Sequence, residues 1–326
     1  MAIENYETVH WIFLLGTTFL WGSWINTLKL VKGLRFETYY IDFVVGMLLS
    51  AIFMALFLFF LSVENIPFLM KDAWHREFIL VTRAFLAGVL FNIAICLLVA
   101  STAFSGMAFT LMAVFGTGLI ADQGIYSYFT TGDSTSIFLL SAACISTAIF
   151  WMFSLQKLLR FSVAKRTLFL SCLAGVFVGL FYPLFDRALD PVDIQKLSPN
   201  VASSFLCIGM VFCHLFFGPF LMKNPLFGHS LLFSSSLSIP LRHHDLGMLG
   251  GMLWFLGLGL KLHAEATPHE IGIFFAVQLA PLLSFLYGIF LWKEVPKELK
   301  RSSSLWGIFC LYFIGICFMG YYRYGV

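Results

Sequence analysis

The chain has 326 residues, of which 60% are hydrophobic and 11% charged, and its mean hydropathy is +0.90, whereas soluble domains carry roughly 25% charged residues. Twenty Lys and Arg with seventeen Asp and Glu cannot coat a globule of this size, so lipid must replace the missing polar surface, which excludes a secreted, cytosolic or nucleic-acid-binding domain. The net charge of +3 sits in short clusters at the ends of apolar runs, so it encodes topology and implies no polyanionic partner.

Crossing the hydrocarbon core takes about 20 apolar residues per helix, and ten runs near that length follow one another. The first, Val9–Leu28, follows a segment with Glu4 and Glu7 but no Lys or Arg; this is the wrong leader for a secretory signal, so the run is expected to stay as a membrane helix. It ends in Trp21-Gly22-Ser23-Trp24-Ile25-Asn26, then Lys29. A Gly-Ser pair lets the helix bend or approach a neighbour, and Trp21, Trp24 and Asn26 offer flat stacking faces and an amide that suit a small ring-shaped solute. Trp11, nearer the start, fits an interfacial aromatic belt. The second run, Tyr40–Leu61, carries Asp42 just inside the interface. An ion pair with Lys29 is its expected role, and uptake of a coupling proton is the alternative.

The third run, Phe78–Leu98, holds Asn92, a candidate for the solute site or for interhelical glue. The fourth, Phe104–Ile120, is short and Gly-rich, joined to the third by Val99–Ala103; the fifth is Ser136–Phe153. In the sixth, Leu168–Phe185, Pro183 removes a backbone donor, so a break is expected near Tyr182, exposing polar backbone to a cavity. Asp186 and Arg187 follow as loop charges, Asp186 being also a gating candidate. The seventh, Val201–Met222, contains His214, the side chain best suited to gain and lose a proton near neutral pH, although a lone His is more often packed and hydrogen-bonded. The eighth, Leu246–Leu262, holds Trp254, and the ninth, Ile271–Trp292, holds Gln278 at mid-membrane, where an amide usually faces a cavity. The tenth is Leu305–Tyr322.

Stretches such as Val44–Leu61 are apolar on every face, which fits helices and not the alternation of a membrane barrel. The expected fold is therefore an all-α membrane protein of ten transmembrane helices. Thirteen Lys and Arg fall on one side, in the links after runs one, five, seven and nine, against six on the other; this places both termini outside and the basic loops in the cytoplasm of a cell or plasma membrane. The basic link after run five divides the chain into repeats over residues 1–156 and 157–326, and five helices per half forces the second half to be inverted. Gly16–Lys29 and Gly175–Arg187 echo each other weakly, both Gly-containing helices ending in aromatics, a breaker and charge. Inverted repeats of this kind place a substrate near the midplane where the halves meet.

The seven cysteines all lie inside apolar runs and form no Cys-x-x-Cys pair, so they read as packing residues. His263, Glu265, His269 and Glu270, like His243, His244 and Asp245, lie in loops at helix ends without the two-His spacing of a zinc helix. Neither a metal nor a cofactor is expected, and no Gly-rich phosphate loop points to nucleotide hydrolysis. A membrane transferase using His243, His244 or Asp245 is the rival from another class; the expectation is a carrier and not an enzyme, working as a monomer or homodimer.

Val277-Gln278-Leu279-Ala280-Pro281-Leu282-Leu283-Ser284, then Tyr287-Gly288 and Trp292-Lys293-Glu294, resembles the ninth helix of the plant ureide permeases and their bacterial relatives. Leu15-Gly16-Thr17, Trp21-Gly22-Ser23-Trp24, Thr38 to Asp42, Gly179 to Phe185, and His244-Asp245-Leu246-Gly247 with Gly250-Gly251 and Trp254 are similar to that family in the same order. The family belongs to the drug/metabolite transporter superfamily and is close to the glucose/ribose porters. The resemblance implies a secondary transporter taking up oxo-heterocycles such as allantoin or uracil with protons, and makes Gln278, Trp21, Trp24, Asn26 and Tyr182 candidate cavity residues. The central loop, Ser154–Thr167, is short and lacks the long insert of the plant members. Sugar porters share that short loop, so sugar uptake is the alternative, with drug or metabolite export a third.

Overall fold

The computed structural model describes residues 2–31, 34–60, 78–129, 135–158, 164–189, 197–230, 240, 244–265, 270–300 and 302–325. The helices are α1 (Ala2–Ser23), α2 (Asn26–Leu30), α3 (Phe36–Phe60), α4 (Phe78–Ser105), α5 (Met107–Phe129), α6 (Thr135–Leu158), α7 (Ala164–Asp186), α8 (Pro199–Lys223), α9 (Asp245–Ala264), α10 (Glu270–Leu286) with a π-helical turn at Tyr287–Leu291, α11 (Lys297–Lys300) and α12 (Ser303–Tyr324). Among the described residues there is no strand, and nine helices are long and apolar enough to cross a membrane: this is an all-α, multi-pass membrane architecture. The long helix α1 stands outside those nine, because its first turns carry Glu4, Asn5, Glu7 and His10. Exposed Phe53, Phe57, Phe150, Phe169, Phe216 and Leu215 cover the outside of the bundle, as lipid contact requires.

Two expectations about local structure are corrected. Pro183 does not break its helix: α7 runs through it and ends one turn later at Asp186, since a proline in the last turn forfeits one bond while the turn's other bonds persist. The interruption lies instead in the first run, where α1 stops at Ser23 and α2 starts at Asn26, and the ninth run ends in the π-helical turn. The fourth run is also longer than its apolar core. Helix α5 continues past Ile120 through Asp122 and Gln123 because Gln123 Nε2 donates to Asp122 Oδ2 at 2.7 Å and Arg323 stands 3.6 Å from the same carboxylate. Its join to α4 is the single residue Gly106, at φ +88°.

Helices without a hydrophobic drive between them in lipid associate through close packing of small residues. Two crossings are built this way. A Cβ on Gly46 would meet the Met248 carbonyl and one on Gly251 the Phe43 carbonyl, so α3 and α9 touch backbone to backbone. The α4–α8 crossing is made by Gly88 against Leu206 and Gly209 against Phe85 in the same reciprocal manner. Helix α1 packs on α9 and α10, α7 packs on α4 and α5, α6 pairs with α12, α3 with α8, and α5 with α10.

Helix α8 starts from Ser198, whose hydroxyl accepts from the Val201 amide at 3.4 Å ahead of Pro199 at the first helical position. Ser198→Ala is expected to cost about 1 kcal/mol, the usual worth of such a cap, visible as a lowered Tm of the purified protein; an unchanged Tm would show that the cap contributes nothing here.

Candidate functional site

The break between α1 and α2 leaves Trp24 fully buried at the centre of the bundle, with its ring 4.9 Å from that of Phe43. One turn earlier, Trp21 stacks on Trp254 of α9 at 5.4 Å and 16°, and its indole N–H donates to the Trp254 carbonyl at 3.0 Å. Gly257 makes this possible, because a Cβ there would collide with the Trp21 ring. Phe91 of α4 packs against both Trp254, at 4.3 Å, and Phe181 of α7, at 5.1 Å.

These rings wall a cavity of about 20 Å³, lined by Trp21, Trp24, Phe91, Ile95, Phe115, Val178, Phe181, Tyr182, Trp254, Val277, Ala280 and Pro281. That is room for about one water, so the rings must part before anything larger enters. Six long helices supply the wall, with the α1 end carrying Trp24. Tyr182 and the three tryptophans are the lining residues with polar side-chain atoms, the Trp21 N–H being already donated to the Trp254 carbonyl, and the remainder is apolar.

Of the residues singled out in the sequence, Trp21, Trp24, Tyr182 and Trp254 meet on this cavity. Gln278 is next to the lining residue Val277 but outside the lining; it is buried, and its Oε1 has no hydrogen-bond partner among the described residues. Asn26 lies just beyond the helix break with both ends of its amide engaged: Nδ2 donates to the Ser23 carbonyl at 2.8 Å, and Oδ1 accepts from Trp292 Nε1 at 2.6 Å. Asn92 ties α4 to α3, accepting from the Tyr40 hydroxyl at 3.0 Å through Oδ1 and at 2.8 Å through its carbonyl. His214 faces Tyr40 edge-on at 5.1 Å, beside a groove between α3 and α8 and apart from the aromatic lining.

The ion pairs differ from the expected ones. Asp42 does not pair with Lys29: its Oδ1 lies 2.7 Å from His244 Nδ1, while Lys29 Nζ lies 2.7 Å from Glu294 Oε1. The reason is the α3–α9 crossing. Gly247 lets α9 come so close that its Cβ position is already taken by Asp42, which puts His244, at the start of α9, within reach of that carboxylate. Lys29, on α2, points instead to the end of the ninth run.

Charges therefore gather at the two ends of the cavity's helices. At one end are Lys29 with Glu294, Asp42 with His244, and Arg35 with Glu37 at 2.6 Å. At the other, the buried Lys261 lies 2.7 Å from Glu265 and 3.7 Å from Asp186, and Arg323 lies near Asp122. Asp186, half exposed at the end of α7, is thus a partner of Lys261 and not a lone loop charge.

Sequence reasoning missed Phe91 and Phe115, which carry no mark that separates them from the other phenylalanines among 39, and it left Phe181, inside the Gly179–Phe185 motif, out of the site residues. It also missed Lys261 and Glu294 as buried ion-pair members, although each stands at the edge of an apolar run, where a charge must find a partner. His243 and His269, and Lys32, Lys71, Arg76, Arg160, Lys196, Arg242 and Arg301 of the loop tally, lie outside the described residues. No family model matches the chain, and no curated protein matches it either.

Proposed function

We propose that the protein is a secondary transporter, a permease that takes up a small neutral polar ring compound such as a ureide or nucleobase by alternating access of two halves. The observation that carries this reading is the small cavity among six helices with seven aromatic side chains in its wall. Flat rings with one tyrosine and the indoles of Trp24 and Trp254 suit a planar heterocycle by stacking plus a small number of hydrogen bonds. A sugar needs more hydroxyl-reading amides and carboxylates than this lining supplies.

The helix pairings support an inverted repeat. Exchanging α1, α3, α4, α5 and α6 for α7, α8, α9, α10 and α12 in that order turns the α1–α9 and α1–α10 contacts into α7–α4 and α7–α5. The same exchange turns the Gly46–Gly251 crossing into the Gly209–Gly88 crossing. It also maps the cavity wall onto itself, since α1, α4 and α5 line one part and α7, α9 and α10 the other. A solute site shared by equivalent helices at the junction of two repeats is the arrangement secondary transporters use. On this reading α1 is the tenth span, the halves are residues 1–156 and 157–326, and both termini lie outside. The motifs similar to ureide permeases point to the same class of solute, with a proton as the coupling ion and Asp42 with His244 as its candidate site, because that pair joins the halves.

The test is uptake of labelled uracil, allantoin and glucose into proteoliposomes, with and without an imposed proton gradient, using Tyr182→Phe and Gln278→Ala as variants. Heterocycle uptake stimulated by the gradient, and reduced about tenfold when the single Tyr182 hydroxyl bond is removed, is the expected result. Glucose uptake alone would move the assignment to sugars, and no uptake of any of the three would overturn the substrate reading.

A further inference from the structure

We propose that the Glu294 carboxylate is the latch that holds the cavity shut at the Lys29 end, and that it must leave the N-terminus of α5 before that end can open. The inference rests on reading the cavity as a solute site. Glu294 Oε1 accepts from the Met107 amide and Oε2 from the Ala108 amide, each at 3.0 Å, and Lys29 Nζ approaches Oε1 to 2.7 Å. The first amides of a helix have no partner within it and carry the positive end of its dipole. Here they are satisfied by a carboxylate from the other end of the chain, whose side chain is only 10% exposed.

The surroundings are shaped for this contact. Gly106, at φ +88°, and Gly288 both lie against the carboxylate, and a Cβ on either would stand 2.7 Å from it. The Glu294 amide donates to the Gly288 carbonyl at 3.0 Å, and Lys293 adopts φ +53°, so the chain after the π-helical turn is folded back to aim the side chain at α5.

The contact joins three walls of the cavity. Trp24 precedes Lys29 on the α1–α2 arm, Phe115 lies seven residues into α5 from Ala108, and Pro281 precedes the turn that carries Glu294. At a rise of 1.5 Å per residue the latch sits about 10 Å from the cavity along α5. Between them the α1–α2 arm and α10 are joined by Ser284 to the Gly22 carbonyl at 2.7 Å, Ser23 to the Tyr287 hydroxyl at 3.3 Å and Trp292 to Asn26 at 2.6 Å. A solute leaving by this end must separate these elements, and the buried, three-donor carboxylate is the strongest of the ties.

The test is the labelling rate of single added cysteines by a water-soluble maleimide on the full chain in nanodiscs, with labelling of the native cysteines subtracted. Ser284→Cys reports the path between cavity and latch, and Leu258→Cys reports the opposite end, between Trp254 and Lys261. Glu294→Gln, which puts a donor where two donors already point, is expected to raise Ser284→Cys labelling about tenfold and to lower Leu258→Cys labelling, as a population shift toward one open end requires. Lys29→Glu places a like charge beside Glu294 and is expected to act in the same direction, which keeps the test decisive if Glu294→Gln does not fold. Unchanged Ser284→Cys labelling, or a rise at both reporters together, would overturn the latch. Labelling needs no solute, so failed uptake would sink the substrate reading and leave this result standing, and the converse also holds.

Discussion

Replacing Gly88 or Gly251 with leucine is expected to abolish the folded protein, at a cost of about 3 kcal/mol or more. Each glycine lies against a backbone carbonyl of the facing helix, Leu206 for Gly88 and Phe43 for Gly251. A backbone atom cannot rotate aside as a side-chain tip can, so the two helices would have to separate along their length. Separation undoes the close packing that holds helices together in lipid. It would also move the cavity, because α4 carries Phe91 and α9 carries Trp254. Gly259→Ala on the same α9 is the control: no atom lies within 4 Å of its added Cβ, so it should leave stability unchanged or raise it by up to about 1 kcal/mol through helix propensity. The measurement is the Tm and the monodisperse yield of each variant in detergent, and a Gly88→Leu protein as stable as Gly259→Ala would refute the backbone-contact account.

Trp254→Ala is expected to cost about 3–5 kcal/mol of stability and to remove solute binding. The indole is the hub of the aromatic wall, stacked on Trp21 and packed on Phe91, and its loss would leave a void where the flat face of a bound ring would rest. Trp254→Phe keeps a ring but shrinks the face and deletes the N–H. It should fold, retain part of the Trp21 contact and bind solute more weakly by about tenfold, in line with roughly 0.5–1.5 kcal/mol per aromatic pair. Equilibrium binding of labelled uracil to the purified variants, read beside their Tm values, separates the two effects. Full binding by Trp254→Ala would remove the cavity from consideration as the solute site.

The membrane class and the helix positions were legible in the sequence because lipid imposes a length and a composition on each span. Six of the ten apolar runs, such as Leu246–Leu262 within α9 and Val201–Met222 within α8, lie inside a single helix that extends a few residues beyond them. The first and the ninth cover the places where the helix is interrupted or turns π-helical, the fourth starts in the last turn of α4 and crosses Gly106 into α5, and the second reaches Leu61, one residue past the described end of α3. Four cavity residues were also legible, since Trp is scarce and Tyr182 sits beside Pro183. The ion pairs were not. Lys29 and Asp42 are near neighbours in sequence, yet the glycine-mediated approach of α9 brought His244 to Asp42, and Glu294 came to Lys29 from the far end of the chain.

Hydropathy thus determined by itself that this protein is a helical membrane bundle and where its long helices run, because transfer into hydrocarbon is a property of each segment alone. Which phenylalanines face inward, which carboxylate meets which cation, and which helix is interrupted were decided only by the tertiary structure. Those outcomes depend on contacts between segments far apart in the chain, and a glycine that permits such a contact looks no different in sequence from one, like Gly259, whose Cβ position is open space.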